Sequence, residues 1–424
     1  MILLNREMGK KIIYIQIIYD FLIKFFISEL GLPYFLNYLT DVFTVLIFLC
    51  VYKSNQKYFI NSRFKIMWIY ILMYFVFCTL SSLFGFVPLF LYIWALRNSF
   101  RFLLFFIGCV TCLDLEDEEK IIKILLGLQG LNIVLTLYQY LIKGYENDFL
   151  GGVFGYGQGV NGGTNLFFCI LLILVINRYL NKKEKLSNLF FVIVSTLSLA
   201  VLSEIKVYYL EFVLIVVMAF VINKRSKKTM IFGLVLIATL FIGLNVLQRN
   251  DAVFYNMITS SEALYDYSRN AYGNSRIIGR VTGISQINER FFENNAFLKL
   301  FGFGFGNCES SSSIAIFNSR FSQLYDSYNY KFFAYSMVYL ETGMVGLIFY
   351  LCFFVICAIH ALKNRIIFKN PEICGIIVSV VAICIISTWY NYSMKIEYAY
   401  FVYLILAFGA IEVRSCRDVS EIYE

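Results

Sequence analysis

The sequence predicts an all-α polytopic membrane protein with about twelve transmembrane helices, because its apolar residues form blocks long enough to cross a bilayer. Of the 424 residues, 60% are hydrophobic and 15% are charged, whereas a soluble domain has about 45–50% apolar and about 25% charged residues. The chain has only three prolines, and no block alternates like a membrane barrel strand. Since lipid offers no hydrogen-bond partners to the backbone, the blocks must be helices.

The positions of the spans follow from the helical rise of about 1.5 Å per residue, which requires about 20 residues to cross the hydrocarbon core. The predicted spans are 12–31, 36–52, 66–85, 88–113, 121–142, 164–180, 187–203, 206–222, 229–247, 332–361, 372–391 and 395–413. Most of the 36 Lys and Arg residues cluster in alternate connections, and such connections are cytoplasmic. Both termini are therefore predicted to be cytoplasmic in a multi-pass protein of the cytoplasmic (inner) membrane.

This topology divides the chain into three regions. A nine-span region covers 1–247, a large extracytoplasmic loop covers 248–331, and a three-span region with a short cytoplasmic tail covers 332–424. Long structureless loops are uncommon, so the outer loop is expected to be partly helical, for example around 283–298.

The composition also excludes several classes of function. The net charge of +8 resides mainly in short clusters between spans, which is typical of orientation signals and lipid contacts rather than nucleic-acid binding. Ten of the 11 cysteines lie in or beside apolar blocks, where they behave as small hydrophobic residues. With a single histidine in the chain, we predict no metal site and no other cofactor.

Charged residues inside spans are the first candidates for a site, because such groups face a cavity or a partner. Arg97 and Arg101 are four residues apart on one helix face, and their guanidinium groups suit a diphosphate. The alternative is snorkelling or a structural ion pair. Asp41 and Glu341 are interpreted as residues that neutralise an intramembrane arginine.

The predicted tight turn between spans seven and eight carries opposite charges. Glu204 and Lys206 either pair with each other, or Lys206 points into an outer cavity as a phosphate contact. A second unusual connection, 143–163, is dense in glycine and also lies on the outer side.

The large loop carries two further motifs. The first holds the arginines Arg276, Arg280 and Arg290. The second is a glycine-rich stretch with Gly302, Gly304 and Gly306. It lies outside the cytoplasm without a following Lys-Ser/Thr, so it is not a nucleotide loop; it predicts a backbone that turns tightly or approaches a ligand closely. The loop's many aromatic residues either bind sugars or form its own small core.

Together these features resemble a known family. The resemblance is carried by several short motifs in a fixed order. They are the pair Arg97 and Arg101, Asn147-Asp148-Phe149 before the glycines of the 143–163 connection, Ser203-Glu204-Ile205-Lys206, Gly279-Arg280, Leu300-Phe301-Gly302 with Gly304 and Gly306, and SMVYLETGMVGLIFYL in span ten. Their order is similar to that of the O-antigen and capsular polysaccharide polymerases (Wzy type), which form a superfamily with the O-antigen ligases. The resemblance covers most of the chain through short motifs.

The resemblance implies a membrane glycosyltransferase of the GT-C class. Such enzymes take a saccharide from an undecaprenyl diphosphate carrier, and polymerases transfer the growing chain to the next lipid-linked repeat unit. The implied partners are the lipid-linked glycan donor and acceptor, membrane lipid and a chain-length regulator. The family's loop arginine falls on Arg280 and its basic turn residue on Lys206. Ligases usually carry a histidine where this chain has Phe332, which favours a polymerase.

The predicted mechanism assigns two sets of side chains. Arg280 is the catalytic arginine, and the residues predicted to bind diphosphate are Arg97, Arg101, Lys206, Arg276 and Arg290. Asp326 and Glu289 are the candidate general bases. The alternatives are an O-antigen ligase, a polysaccharide flippase or other transporter, and a spore-wall or teichoic-type polymer synthase.

Overall fold

The computed structural model describes residues 5–54, 65–223, 277–311 and 313–420, together with the isolated residues 233, 255, 260 and 262. In this part of the chain, helices are the only regular secondary structure, apart from short turns and one isolated β-bridge. Seven of the described helices are long and apolar enough to cross a membrane. The predicted class, an all-α polytopic membrane protein, is confirmed.

The helices are numbered here in chain order. They are α1 (Arg6–Leu30), α2 (Leu39–Ser54), α3 (Lys65–Phe84), α4 (Leu89–Cys112), α5 (Leu115–Leu141), α6 (Asn161–Leu180), α7 (Leu186–Leu202), α8 (Lys206–Ile222), α9 (Gly283–Arg290), α10 (Ala296–Phe301), α11 (Arg320–Tyr325), α12 (Ala334–Asn364), α13 (Glu372–Tyr390) and α14 (Ala399–Ser420). Each predicted span except 229–247 overlaps a helix of at least 16 residues. Because 229–247, apart from residue 233, lies outside the described residues, and seven of the described helices meet the length and hydropathy of a span, the total of about twelve spans stays a prediction.

The predicted helical pieces of the large loop are confirmed by α9 and α10. The α10 helix begins after Asn295, whose side chain accepts a hydrogen bond from the Phe297 amide at 2.9 Å. Most of the first part of the loop, 248–276, lies outside the described residues. That part includes Arg276, so its predicted role in diphosphate binding has no structural description.

Helix α6 lies at the centre of the bundle and is buried along almost its whole length. Its residues from Leu166 to Ile176 are all buried apolar side chains, and a helix that is apolar all round must be covered by other helices. Those neighbours include α7, α8 and α13. The polar N-terminal turn of α6 emerges from this packing at one end of the bundle.

The two ends of the bundle carry different structures. One end, which we call the terminal end, contains the start of α1 and the last part of α14. Arg6 and Arg414 both pair there with Asp114 in the α4–α5 connection. At the same end, Lys183 pairs with Glu372 at 2.9 Å. The opposite end, which we call the loop end, carries the glycine-rich connection after α5, the α7–α8 turn and the 277–333 segment. The clustering of basic residues at the terminal end is what the topology predicts; the orientation in the membrane stays a prediction.

A break in α12 packs against the stretch that contains Gly302, Gly304 and Gly306, which we call the glycine-rich loop. Gly343 has φ of 62°, which interrupts the helix and exposes carbonyl groups that the helix no longer pairs. The Phe303 amide donates to the Leu340 carbonyl at 2.9 Å, and the Gly304 amide donates to the Glu341 carbonyl at 2.9 Å. The loop therefore supplies the hydrogen bonds that the broken helix lacks.

The three glycines of this loop are required by close packing against other backbone segments. A Cβ on Gly302 would lie 2.4 Å from the Glu341 carbonyl carbon, and one on Gly304 would lie 2.8 Å from Gly85 Cα. Gly306 has φ of 106°, and its amide donates to Glu341 Oε1 at 3.1 Å. Of the two interpretations that the sequence left open, the structure supports close backbone packing within the protein. The Glu341 side chain thus binds loop amides in place of the arginine that we expected.

Candidate functional site

A cavity of about 540 Å³ opens at the loop end of the bundle. Its walls come from the glycine-rich connection, the N-terminal turns of α6 and α8, and the residues that flank α12 and α13. The cationic lining residues are Lys206, Arg280 and Lys331. The carboxylates of the described lining are Asp148 and Glu204. Within the described lining there are three cationic and two anionic side chains, and Lys331 also pairs with Asp326 outside this lining.

Packing and backbone hydrogen bonds hold Arg280 at the cavity wall. Its guanidinium carbon lies 4.6 Å from the ring centroid of Tyr390 and 5.4 Å from that of Phe333, distances at which a cation is attracted to an aromatic ring. The Tyr335 hydroxyl donates to the carbonyls of Gly279 and Arg280, at 2.8 and 3.2 Å respectively. The Tyr335 ring also stacks on Trp389, with centroids 4.4 Å apart. These contacts define the position of a guanidinium beside open space.

Lys206 is the first residue of α8 and also lines the cavity. The N-terminal turn of α6, with Asn161 and Gly162, lines it as well. Among the described residues, no side chain caps either helix N-terminus. Helix N-termini present amide N–H groups and a partial positive charge, which favour a bound anion. The structure places Lys206 in the lining of a cavity, together with Glu204; a role of Lys206 as a phosphate contact stays a prediction.

The glycine-rich connection is joined to the α7–α8 turn at the cavity. Asn161 Nδ2 donates to Asp148 Oδ1 at 2.7 Å and to the Ser203 carbonyl at 3.3 Å. In the turn itself, Glu204 has φ of 47°, a left-handed conformation that is uncommon for residues other than glycine and is often found at functional sites. Asn161 thus connects the two segments that carry Asp148 and Glu204, the carboxylates of the described lining.

Lys331 links the cavity to the rest of the large loop. Its Nζ lies 2.5 Å from Asp326 Oδ1 and 2.9 Å from Ser310 Oγ. Nearby, burial raises the pKa of the Tyr392 phenol well above its usual value, so Tyr392 contributes a neutral hydroxyl to the lining at neutral pH.

The two predicted general bases lie elsewhere. Among the described residues that line the cavity, neither Asp326 nor Glu289 occurs. Asp326 pairs with Lys331, and the exposed Glu289 accepts a hydrogen bond from Ser285 at 3.2 Å. Arg290 is exposed at the end of α9 and is likewise not among the described lining residues.

The two predicted span-four arginines belong to a separate ion-pair network, which we call the α4 network. Arg97 donates to Asp41 Oδ2 from Nε at 2.8 Å and from Nη2 at 2.6 Å. Arg101 lies 3.2 Å from Glu397 and 3.6 Å from Asp41, and Lys24 lies 3.2 Å from Glu397. The interpretation of Asp41 as a neutralising carboxylate is confirmed. Neither arginine is among the described residues of the cavity lining.

Sequence reasoning missed a buried polar pair beneath the cavity. Asn165 lies in the second turn of α6 and lines the cavity, and its Nδ2 donates to Glu211 Oε2 at 2.7 Å. The signal was present, because Glu211 is a lone carboxylate in the apolar run KVYYLEFVLIVVM, and such residues are functional candidates. The role of Lys331 was missed as well.

The arrangement can bind an anion at its cationic wall and polar, ring-shaped groups at its amide and aromatic surfaces. Comparisons with known proteins add no family to this geometry: no protein-family model matches the chain, and no curated protein sequence matches it either.

Proposed function

We propose that the chain is a membrane glycosyltransferase that polymerises undecaprenyl-diphosphate-linked oligosaccharide repeat units into O-antigen or capsular polysaccharide on the outer face of the cytoplasmic membrane. The observation that carries the proposal is the loop-end cavity, where Lys206, Arg280 and Lys331 meet two uncapped helix N-termini. Arginine forks, ammonium groups and helix N-termini are the protein groups that bind phosphate oxygens. A cavity at one end of a membrane bundle gives a lipid-borne diphosphate access to them.

In the proposed reaction, Arg280 and Lys206 bind the diphosphate of the donor. The acceptor hydroxyl oxygen attacks the anomeric carbon of the donor sugar and forms the new C–O bond. The C–O bond to the diphosphate breaks, and the lipid diphosphate leaves with the electron pair. Fixed positive groups stabilise the charge that develops on it, and one such donor contributes about 3–4 kcal/mol.

The proton of the acceptor hydroxyl requires a base. In place of Asp326 and Glu289, we propose the cavity carboxylates, Asp148 and Glu204, as the acceptors of this proton. Asp148 is held by Asn161, which leaves its second oxygen for the substrate. Aromatic residues of the lining, such as Tyr390 and Tyr392, offer faces on which a sugar ring packs.

The alternatives are an O-antigen ligase, which transfers a finished chain to lipid A core, and a transporter, which moves lipid-linked glycan unchanged. The test is reconstitution of the purified protein in liposomes with isolated lipid-linked single repeat units, followed by gel analysis of glycan length. A polymerase produces a ladder of lengths. Unchanged single units inside and outside the vesicles indicate a transporter, and transfer that requires lipid A core indicates a ligase; either result contradicts the proposal.

A further inference from the structure

The floor of the loop-end cavity contains a buried hydrogen-bonding group that the proposed diphosphate contacts do not use. Asn165 and Glu211 are each 1% exposed. Glu211 Oε2 accepts from Asn165 Nδ2 at 2.7 Å and from Cys169 Sγ at 3.3 Å. All three side chains belong to α6 and α8, two helices of the bundle interior, so the floor is rigidly supported.

Glu211 determines which way the Asn165 amide points. Glu211 Oε2 accepts from Nδ2 of the amide, so the carbonyl oxygen Oδ1 lies on the other side. Within the described part of the chain, Asn165 Oδ1 is buried and has no hydrogen-bond partner, although Asn165 lines the cavity. Since a buried acceptor without a partner is unfavourable, a ligand in the cavity that donates a hydrogen bond is favoured here.

Asn165 Oδ1 requires a hydrogen-bond donor, which distinguishes the cavity floor from its cationic wall. Phosphate oxygens of an ionised diphosphate accept hydrogen bonds and have no proton to donate, so they do not satisfy Asn165 Oδ1. Sugar hydroxyls and the N–H of an N-acetyl group are donors. The aromatic rings of Tyr390 and Tyr392 and the amide of Asn391 lie in the same lining, and these are groups that pack on and bind a sugar ring.

We propose that Asn165 is a saccharide-recognition residue and that Glu211 is its positioning residue. Asn165 Oδ1 accepts a hydrogen bond from one hydroxyl or N-acetyl N–H of the sugar that lies next to the diphosphate. The part that this sugar plays in a transfer reaction rests on the proposed function. Recognition itself is a binding property, so it is tested without any transfer.

The first test changes the direction of the Asn165 amide. In Glu211→Gln, the new side chain donates as well as accepts, so it no longer fixes the Asn165 amide in one direction. The probes are glucose, galactose, N-acetylglucosamine and N-acetylgalactosamine, each compared with its single-deoxy analogues. Their dissociation constants are measured by thermal unfolding of the purified protein in detergent with saturating inorganic pyrophosphate.

For the wild type, we expect one deoxy analogue of a bound sugar to bind about five- to tenfold more weakly, the factor for one hydrogen bond. Asn165→Ala should bind that sugar and its analogue equally, and Glu211→Gln should discriminate between them less than the wild type does. If either variant keeps the full wild-type discrimination, or if no sugar of the panel binds the wild type, the proposal is overturned. Should Glu211→Gln not fold, Asn165→Ala decides alone.

The matched control is Asn223→Ala. It removes a 2.7 Å hydrogen bond from Asn223 Nδ2 to Asn177 Oδ1, which joins α6 to the end of α8 at the terminal end. This variant should lower the melting temperature and keep the discrimination between sugar and deoxy analogue, whereas loss of discrimination in it too would assign the effect to helix packing. Absence of polymer in reconstitution would contradict the proposed function and leave the sugar discrimination as a separate result.

Discussion

Two arginine-bearing regions of the loop end differ in what surrounds their charges. In the α4 network, Arg97 and Arg101 pair with Asp41 and Glu397 at 2.6–3.6 Å, and Lys24 pairs with Glu397 as well. Around the cavity, Lys206, Arg280 and Lys331 line open volume, and Lys331 also pairs with Asp326. Buried ion pairs between helices hold the helices together, whereas cationic groups beside open volume attract an anion.

The function of an arginine in a membrane protein therefore depends on the groups that surround its guanidinium. Arg101 is paired with a residue far away in the sequence, Glu397, in the connection before α14. Arg280, by contrast, comes from a loop and is held between aromatic rings at the cavity wall.

The largest effect is expected for Arg101→Ala, measured as the free energy of unfolding in detergent. The side chains of Arg101 and Glu397 are 5% and 7% exposed, so the substitution leaves a buried carboxylate with one of its two cationic partners, Lys24, and a loss of about 3–5 kcal/mol is expected. The double variant Arg101→Ala, Glu397→Gln should recover part of it. If Arg101→Ala has the same free energy of unfolding as the exposed-site control Arg290→Ala, the α4 network does not stabilise the fold.

Arg280→Ala should act mainly on the reaction, with a smaller loss of stability from its contacts with the Phe333 and Tyr390 rings. We expect the rate of polymer formation by reconstituted protein to fall about 10²–10³-fold, as for loss of one transition-state donor. Arg280→Lys should rescue poorly, because an ammonium lacks the guanidinium fork. Arg290→Ala is the matched control, since Arg290 belongs to the same loop and does not line the cavity. Normal polymer length in Arg280→Ala would exclude Arg280 from the site.

Lys206→Gln should weaken binding of inorganic pyrophosphate by about tenfold, the factor for a hydrogen bond to a charged group. Titration calorimetry at several salt concentrations measures this, and the variant should also show a weaker dependence on salt. Lys299→Gln, in α10 and outside the described cavity lining, is the control. Equal affinities in both variants would place the anion elsewhere.

The smallest effect is expected for Asp326→Asn. Asp326 is 69% exposed and pairs with Lys331, so its removal should raise the positive potential at the cavity and tighten pyrophosphate binding about two- to threefold, as for a surface ion pair. The polymerisation rate should stay close to that of the wild type. If Asp326 were the general base, this rate would instead fall by about 10²–10⁴.

Much of the fold was predictable because the apolar blocks carry a strong signal. The spans coincide with helices, and the short helices of the large loop lie where we expected them. The break in α12 at Gly343 was missed, because its cause is the backbone of the distant glycine-rich loop. A glycine in an apolar run does not reveal by itself which segment packs against it.

The site was predictable only in part, for the same reason. Lys206 and Arg280 were recognised, and the structure brings them to one cavity. Arg97 and Arg101 lie instead beside carboxylates of other segments. Asn165 and Glu211 were missed because their importance comes from their mutual contact across two helices, which no local pattern contains.

The central claim, that the loop-end cavity binds a lipid-linked diphosphate glycan, is tested most directly by photo-crosslinking. A benzophenone amino acid replaces Phe332, which lines the cavity, or Phe35, which is 63% exposed and lies between Tyr34 and Tyr38, whose rings contact Lys24 and Arg97. With lipid-linked repeat units labelled in the glycan, we predict a crosslink at position 332 that excess pyrophosphate suppresses, and none at position 35. Equal labelling at both positions, or labelling at 332 that pyrophosphate does not reduce, would contradict the account.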